Sequence, residues 1–360
     1  MIDLAQDIAF MRRAISLARL GLANTAPNPR VGAVVVHDGR IIGEGFHRRI
    51  GEGHAEVNAI SSVKPVDVAL LRDATIYVTL EPCSHYGKTP PCAKLIIDKG
   101  LRRVVVGSGD PSPKVNGRGI AMLRDAGIEV TVLGGEISEQ CRALNPEFNS
   151  RYVNSRPLIT LKWAETADGA MANADGTPIS VSTPVTSTFV HRLRARHDVI
   201  LTTSATVIAD NPRLDTRFWN TGNAPLRAVI DRHGKIPADA NIFKNDFRKT
   251  LYFTLNYRDD LPNAEQIILP ECEDRLSESQ LRTVIDEIAS RGSNSILVEA
   301  GPTFLQAMLS AGLYDRIQIE RNNELFCPDG IKSPDVTGLK NRFEHFALRN
   351  SKSVIYTLST

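Results

Sequence analysis

The feature that most constrains this chain is a set of zinc-type ligands spread over its first hundred residues. They are His54 in His54-Ala55-Glu56, Cys83 in Pro82-Cys83 and Cys92 in Pro91-Cys92. Cys83 follows the end of an apolar strand-like run, and Cys92 stands where a proline opens a helix. Two such termini can converge on one metal. The positive end of a helix also favours thiolate at Cys92. His54 and Glu56 sit two apart at another helix start, where side chains diverge, so one can bind metal while the other lines a pocket.

The surrounding periodicity is that of an α/β protein. Ile8, Met11, Ile15, Ala18 and Leu22 recur at helical spacing over residues 4–22. Residues 31–45 form a hairpin turning at Asp38-Gly39. Helices at 54–62, 91–99 and 119–126 alternate with strands at 75–80, 103–107 and 129–133. The layout predicts a largely parallel sheet after the hairpin. Residues 142–157 are polar and lack periodicity, and the domain boundary is placed there, between 145 and 146. A second series follows, with strands at 158–163, 198–202, 226–231, 250–255, 295–299 and 352–358 and helices at 185–196 and 303–311.

Composition narrows the class. Lysines and arginines number 43 against 41 acids, so no global charge favours nucleic acid or a membrane surface. No apolar run approaches the roughly 20 residues of a bilayer span. The N-terminus carries Asp3 and Asp7 where a signal peptide carries bases, which points to a cytoplasmic protein. Five cysteines in a chain of 360 residues argue against a disulfide framework. Cys141, Cys272 and Cys327 lack motif context and read as buried small hydrophobes.

Three protein ligands leave one tetrahedral position open, the arrangement of a catalytic zinc rather than a structural one. Zinc lowers the pKa of bound water to about 7. Glu56, free of the metal, would take the water proton and pass it to a ring nitrogen and to leaving ammonia. The expected chemistry is hydrolytic removal of an amino group from a nitrogen heterocycle.

Thr79-Leu80-Glu81-Pro82-Cys83-Ser84-His85-Tyr86-Gly87-Lys88-Thr89-Pro90-Pro91-Cys92 resembles the deaminase signature of the bifunctional riboflavin-biosynthesis deaminase–reductases. So do Pro27-Asn28-Pro29-Arg30-Val31-Gly32 and Gly45-Phe46-His47. The resemblance implies a cytidine-deaminase-like three-layer α/β/α domain over 1–145. Its implied substrate is 2,5-diamino-6-ribosylamino-4(3H)-pyrimidinone 5′-phosphate, with Asn28, His47 and Lys88 lining the pocket. From the residues alone, Lys88 is a cation suited to a phosphate or carbonyl, and Asn28 reads equally as a turn residue.

In the second half, Val298-Glu299-Ala300-Gly301-Pro302, Thr206–Arg217, Leu161-Lys162 with Asp168-Gly169, and Arg192-Leu193-Arg194-Ala195 resemble the reductase of the same family. That implies a dihydrofolate-reductase-like α/β domain over 146–360, which binds NADPH and reduces the ribosyl group to ribityl. Arg194, Leu214, Arg217 and Glu299 would contact substrate. Ala164, Ser180, Thr206, Asp210 and Gly301 would contact NADPH. Independently, Gly301 stands in a strand–turn–helix junction that suits a phosphate, as it also suits an ordinary turn. Arg194, flanked by Arg192 and Arg196, also reads as a surface helix charge.

The pattern departs from the family in three places. Its Asp-Gly-Arg is Asp168-Gly169-Ala170, its Ser-x-Trp-Ile segment is Pro178-Ile179-Ser180-Val181, and its Ala-Pro-Lys-Leu-Leu-Gly run is Arg321-Asn322-Asn323-Glu324-Leu325-Phe326. A deaminase whose second domain only binds or assembles is therefore the alternative. A nucleic-acid base deaminase is disfavoured by the near-neutral charge and the long Cys83–Cys92 interval. The family also implies a homo-oligomer.

Overall fold

A computed structural model describes residues 4–25, 27–86, 90–219, 224–244, 249–271, 276–347 and 352–359. Lys88 and Cys272 lie outside the described residues. The chain divides into two compact units, Met1–Ser155 and Arg156–Thr360.

The first unit runs α1 (Leu4–Ala18), β1 (Gly32–His37), β2 (Arg40–Phe46), α2 (Ala55–Ser61), β3 (Thr75–Val78), α3 (Cys92–Lys99), β4 (Arg103–Val106), α4 (Arg118–Asp125), β5 (Glu129–Val132), α5 (Gly135–Arg142) and α6 (Pro146–Val153). Its sheet has the order β2-β1-β3-β4-β5. β1 is antiparallel to both β2 and β3, and β3, β4 and β5 are parallel. The hairpin turns where expected, with positive φ at Asp38 and Gly39 as a primed two-residue turn requires. Alternate residues serve opposite faces. Val34, Val36, Tyr77 and Val105 pack with Met11, Ala14 and Ile15 of α1 and Ile137 of α5. Ala33, Val35, Ile76 and Val104 pack with Ala59 of α2, Ile96 of α3 and Leu123 of α4. The result is three layers, helix–sheet–helix.

The placement of α2 depends on two glycines of β2. A Cβ on Gly45 would stand 2.3 Å from the Ala59 nitrogen, and one on Gly43 would stand 2.4 Å from the Ala59 oxygen. The helix therefore lies directly on the strand backbone. This close approach fixes His54 and Glu56 relative to the sheet.

The chain is helical at Pro146–Val153, inside the stretch read as aperiodic. The first unit accordingly ends after Ser155 rather than after 145. Asn145 ties the stretch to the first unit, accepting from the Arg30 backbone N–H at 2.6 Å and donating to its carbonyl at 2.9 Å. Polar anchoring of this kind leaves little apolar periodicity to detect.

The second unit runs β6 (Leu158–Thr166), β7 (Ala170–Ala172), α7 (Pro184–Arg194), β8 (Val199–Thr203), α8 (Ser204–Asp210), β9 (Leu226–Ile230), β10 (Thr250–Thr254), β11 (Ala264–Ile268), α9 (Glu278–Ser290), β12 (Ser295–Glu299), α10 (Pro302–Ser310), β13 (Arg316–Asn322), β14 (Ile331–Lys332), β15 (Glu344–Ala347) and β16 (Ser353–Ser359). Its main sheet has the order β11-β10-β9-β8-β12-β6-β13-β16-β15. The strands from β11 to β13 are parallel, and β16 and β15 close the sheet in antiparallel fashion. Apolar clusters cover both faces, one around Trp163, Phe253 and Leu305 and the other around Ile200, Tyr252 and Leu297.

No helix among the described residues is long and apolar enough to cross a membrane.

Candidate metal centre and reductase pocket

The three predicted ligands converge. His54 caps α2 in an extended conformation, and its Nδ1 lies 3.3 Å from Cys92 Sγ and 3.6 Å from Cys83 Sγ. Ligands held tetrahedrally at about 2.0 Å for nitrogen and 2.3 Å for sulfur stand about 3.5 Å apart, so the observed separations fit zinc. One ligand atom from each residue lies within 4.8 Å of the others. Cys92 is the first residue of α3, and its backbone N–H donates to Cys83 Sγ at 3.3 Å. The Ala93 N–H donates to the Cys83 carbonyl at 3.2 Å. The two cysteines are thus locked together by backbone as well as by any shared ion.

The electrostatics agree with a cation site. The hydrogen bond from Cys92 is the largest influence that pulls the Cys83 thiol down to about 4, opposed by burial and helped by His54. The same hydrogen bond, with burial, pushes Cys92 up. Two sulfurs this close can both ionise only with a positive ion between them.

Glu56, in the first turn of α2, is only 3% exposed. Burial, then the neighbouring Cys83, pushes its carboxyl up to about 7. A carboxyl poised near neutrality can both accept and return a proton.

Two of the expected pocket residues join the cluster. The His47 ring stands edge-on to the His54 ring, with centroids 5.5 Å apart. Its Nδ1 is 3.1 Å from the Gly53 carbonyl and its Nε2 is 3.4 Å from Asn28 Nδ2. Burial lowers its pKa, so the ring is neutral at physiological pH. Asn28 therefore does more than turn the chain. Lys88, lying outside the described residues, is not placed.

Sequence reading missed Glu81, although it sits inside the Glu81-Pro82-Cys83 motif. It is buried, and its carboxylate accepts from the backbone N–H groups of Gly117 and Gly119, both at 2.9 Å, and of Ile120 at 3.2 Å. A carboxylate one residue ahead of a Pro-Cys ligand turn was the available signal. It caps α4 across the loop and holds that turn in place.

In the second unit the expected substrate residues form one network. Arg194 binds Glu299 with Nε–Oε1 of 2.7 Å and Nη2–Oε2 of 2.8 Å, and reaches the Asp215 carbonyl at 3.3 Å. Arg217 Nη1 lies 2.5 Å from Asp215 Oδ1. Leu214 is buried with a positive φ of 50°, an uncommon conformation for a bulky side chain and one concentrated at functional sites. Arg194 is therefore not a free surface charge.

The residues expected at the cofactor gather less tightly. Ala164 lies on β6, and Thr206 and Asp210 lie on α8, which follows β8. Gly301 caps α10, which follows β12, and the space a Cβ would take there is open. β8, β12 and β6 are parallel neighbours, so Ala164 lies near, and Thr206 and Gly301 just beyond, the carboxyl ends of adjacent strands, where α/β sheets bind ligands, with Asp210 at the far end of α8. Ser180 is exposed in the turn ahead of α7. No hydrogen bond among the described residues ties its side chain to the others.

Two departures from the family pattern have structural counterparts. Across from Ala170 stands Lys332, whose Nζ is 3.0 Å from Asp168 Oδ2, so Asp168 keeps a cationic neighbour. In the 321–326 run, Arg321 pairs with buried Glu165 at 2.8 Å and Asn322 donates to the Val181 carbonyl at 3.0 Å. Cys141 is buried as expected; Cys327 is only half-buried, and its thiol is 3.7 Å from Asn173 Oδ1.

Two family models match the chain. "Cytidine and deoxycytidylate deaminase zinc-binding region" covers residues 4–108, and "RibD C-terminal domain" covers residues 157–320. The riboflavin biosynthesis protein RibD of Aquifex aeolicus is 36% identical over 87% of this chain and 86% of its own. That of Escherichia coli K12 is 38% identical over 87% of this chain and 86% of its own. The chain belongs to the RibD family. The solved RibD of Acinetobacter baumannii superimposes with a TM-score of 0.86 at 31% identity, covering 99% of both chains. A Thermotoga maritima RibD-type protein, a diaminohydroxyphosphoribosylaminopyrimidine deaminase/5-amino-6-(5-phosphoribosylamino)uracil reductase, superimposes with a TM-score of 0.81 at 33% identity, again over 99% of both chains. As in RibD structures, a cytidine-deaminase-like domain precedes a dihydrofolate-reductase-like one. The divergent second half is a RibD reductase domain, and the chain is a two-domain deaminase–reductase of riboflavin biosynthesis.

Proposed function

We propose that the first unit hydrolytically deaminates 2,5-diamino-6-ribosylamino-4(3H)-pyrimidinone 5′-phosphate, and that the second reduces the ribosyl group of the product to ribityl. The observation that carries the deaminase assignment is the buried Glu56 carboxyl beside His54, Cys83 and Cys92. Zinc held by those three side chains would supply Lewis-acid activation of water at neutral pH. Glu56 takes one proton from the attacking water and gives it to the ring nitrogen, then carries the second, from the resulting hydroxyl, to the amino group, which departs as ammonia. His47, neutral and fixed by the Gly53 carbonyl, and Asn28 orient the heterocycle, with Lys88 as a third contact.

In the second unit, Arg194, Glu299, Leu214 and Arg217 bind the deaminated product. Ala164, Ser180, Thr206, Asp210 and Gly301 hold NADPH, which supplies the reducing equivalent when bound. The ion pair keeps Glu299 ionised in a buried setting, so it remains an acceptor for substrate hydroxyls. The family resemblance further supports a cytoplasmic homo-oligomer acting on a small phosphorylated pyrimidine, without nucleic acid.

The test is a two-stage assay on the purified, zinc-loaded chain. Ammonia release should follow addition of the diaminopyrimidine, and NADPH absorbance should then fall. Ammonia without NADPH consumption would overturn the reductase assignment; neither event would overturn both. Salt-sensitive binding of RNA or single-stranded DNA would count against the small-molecule reading.

A further inference from the structure

One face of the second sheet carries buried polar side chains. By ladder register, Glu299 on β12, Lys162 and Ala164 on β6, and Gln318, Glu320 and Asn322 on β13 share it. Ile159, Leu161, Ile317 and Ile319 point to the opposite face, into the larger apolar core. Thr202 on β8 lies on the polar face as well, next to Glu299 in the alternation set by Leu297 and Ile200.

Glu320 is 1% exposed. Its Oε2 accepts a hydrogen bond from Ser182 Oγ at 2.8 Å, whereas its Oε1 has no hydrogen-bond partner among the described residues. Thr202 Oγ1 likewise has none. A buried carboxylate oxygen without a donor is destabilising, and such an atom in a native protein calls for a partner beyond the protein's own side chains. Glu320 lies directly across from Ala164, and two strands from Glu299. Two strand spacings are roughly 10 Å, a span comparable to the reach of a ribosylaminouracil phosphate.

We propose that Glu320 is a specificity-determining acceptor of the reductase site, taking a hydrogen bond through Oε1 from the N–H edge of the pyrimidine whose other end lies at Arg194 and Glu299. The inference rests on the reductase reading above. A carboxylate accepts and cannot donate, which matches a heterocycle whose ring N–H and amino groups are donors. A second carboxylate is a poor neighbour for the phosphates of NADPH, which favours the substrate over the cofactor as its partner. Ser182, on the other oxygen, is a positioning residue.

The experiment uses the full chain, with Glu320→Gln, Glu320→Ala and Ser182→Ala variants. Thermal unfolding and deamination rate report folding. The KM of the deaminated aminouracil should rise roughly tenfold or more in both Glu320 variants, as expected for losing one hydrogen bond to a charged group. Ser182→Ala should show a smaller rise. NADPH affinity, measured by fluorescence titration, should stay at the wild-type value, as should deamination. Unchanged KM in both Glu320 variants would overturn the proposal, and so would a loss of NADPH affinity that parallels the KM change. If the Glu320 variants fail to fold, an unchanged KM in Ser182→Ala would overturn it. A wild-type chain that consumes no NADPH with this substrate would remove the reductase reading and the inference with it.

Discussion

Arg194 of α7 grips Glu299 of β12 with both prongs of its guanidinium, at 2.7 and 2.8 Å, and each side chain is less than one-seventh exposed. Burial acts to raise the Glu299 carboxyl, but Arg194, with Lys162, overrides it and holds the value at about 2. Replacing Arg194 by Lys keeps the charge and loses the fork. The expected result is a loss of reductase activity with deamination intact, and a drop in second-unit stability of about 1–3 kcal/mol in denaturant titration. Wild-type stability after Arg194→Lys would show that the pair contributes nothing to the fold.

Glu56→Gln should leave zinc bound and remove deamination. The proton shuttle accounts for roughly 10²–10⁴ in rate. Metal content by mass spectrometry, together with ammonia release, checks both parts. A variant that loses its zinc would make Glu56 a metal-site residue instead of a proton carrier.

Gly45→Ala tests the seat of α2. The added Cβ would meet the Ala59 nitrogen at 2.3 Å and the Ala55 oxygen at 2.7 Å, both backbone atoms that cannot swing aside. Overpacking of this sort costs about 1–3 kcal/mol. Because His54 caps the displaced helix, zinc content should fall with stability, whereas Gly134→Ala, where no atom lies within 4 Å of the new Cβ, should spare the metal.

His191 takes up its proton well below the range of a surface histidine. Burial, followed by the charges of Arg194 and Arg217, lowers its pKa to about 4 from the ordinary 6.5. A depressed folded-state value means that the stability it contributes is complete above pH 6.5 and is lost as pH falls towards 4. His191→Gln should flatten that pH dependence, by on the order of 2 kcal/mol at pH 5. Unfolding midpoints of the two proteins that decline in parallel across this window would refute the assignment.

In the first unit, Arg103 holds Asp7 with two bonds of 2.8 Å, and Tyr77 donates to the same carboxylate at 2.8 Å. Burial opposes ionisation of Asp7, yet these donors leave its pKa below the usual 3.8. Its contribution is therefore present above pH 3.8 and lost as pH falls below it. Asp7→Asn takes the two-bond carboxylate away from a buried guanidinium, leaving it Glu129 at 3.2 Å and Thr131 at 3.0 Å, and should cost about 3–5 kcal/mol. A change below 1 kcal/mol would show that Arg103 finds other partners.

The candidate metal centre was legible in the sequence because the chemistry proposed for it needs particular residue types. His54, Cys83, Cys92 and Glu56 admit few substitutes, and the prolines before each cysteine mark the turns that aim them. Elements held by polar contacts were not legible. α6, anchored by Asn145 and Arg30, has no apolar stripe to betray it. α9 was not expected either, although Leu281, Val284, Ile285 and Ile288 form a buried face at helical spacing. β13 was not expected because both of its faces are buried, and a strand of that kind is read from a continuous apolar run, whereas here Gln318 and Glu320 interrupt Ile317 and Ile319. The charge that makes β13 interesting made it unlike a strand.

The backbone bonds that join Cys92 and Ala93 to Cys83 have a consequence for how this family diversifies. Both metal ligands are anchored on the scaffold side of their connection, by α3 and by the Glu81-braced turn. The two sulfurs are thereby held from the Pro82 turn on one side and from Pro91 and the first turn of α3 on the other. The geometry is inherited from the scaffold, so a change in what the deaminase recognises need not disturb the sulfurs that carry its chemistry.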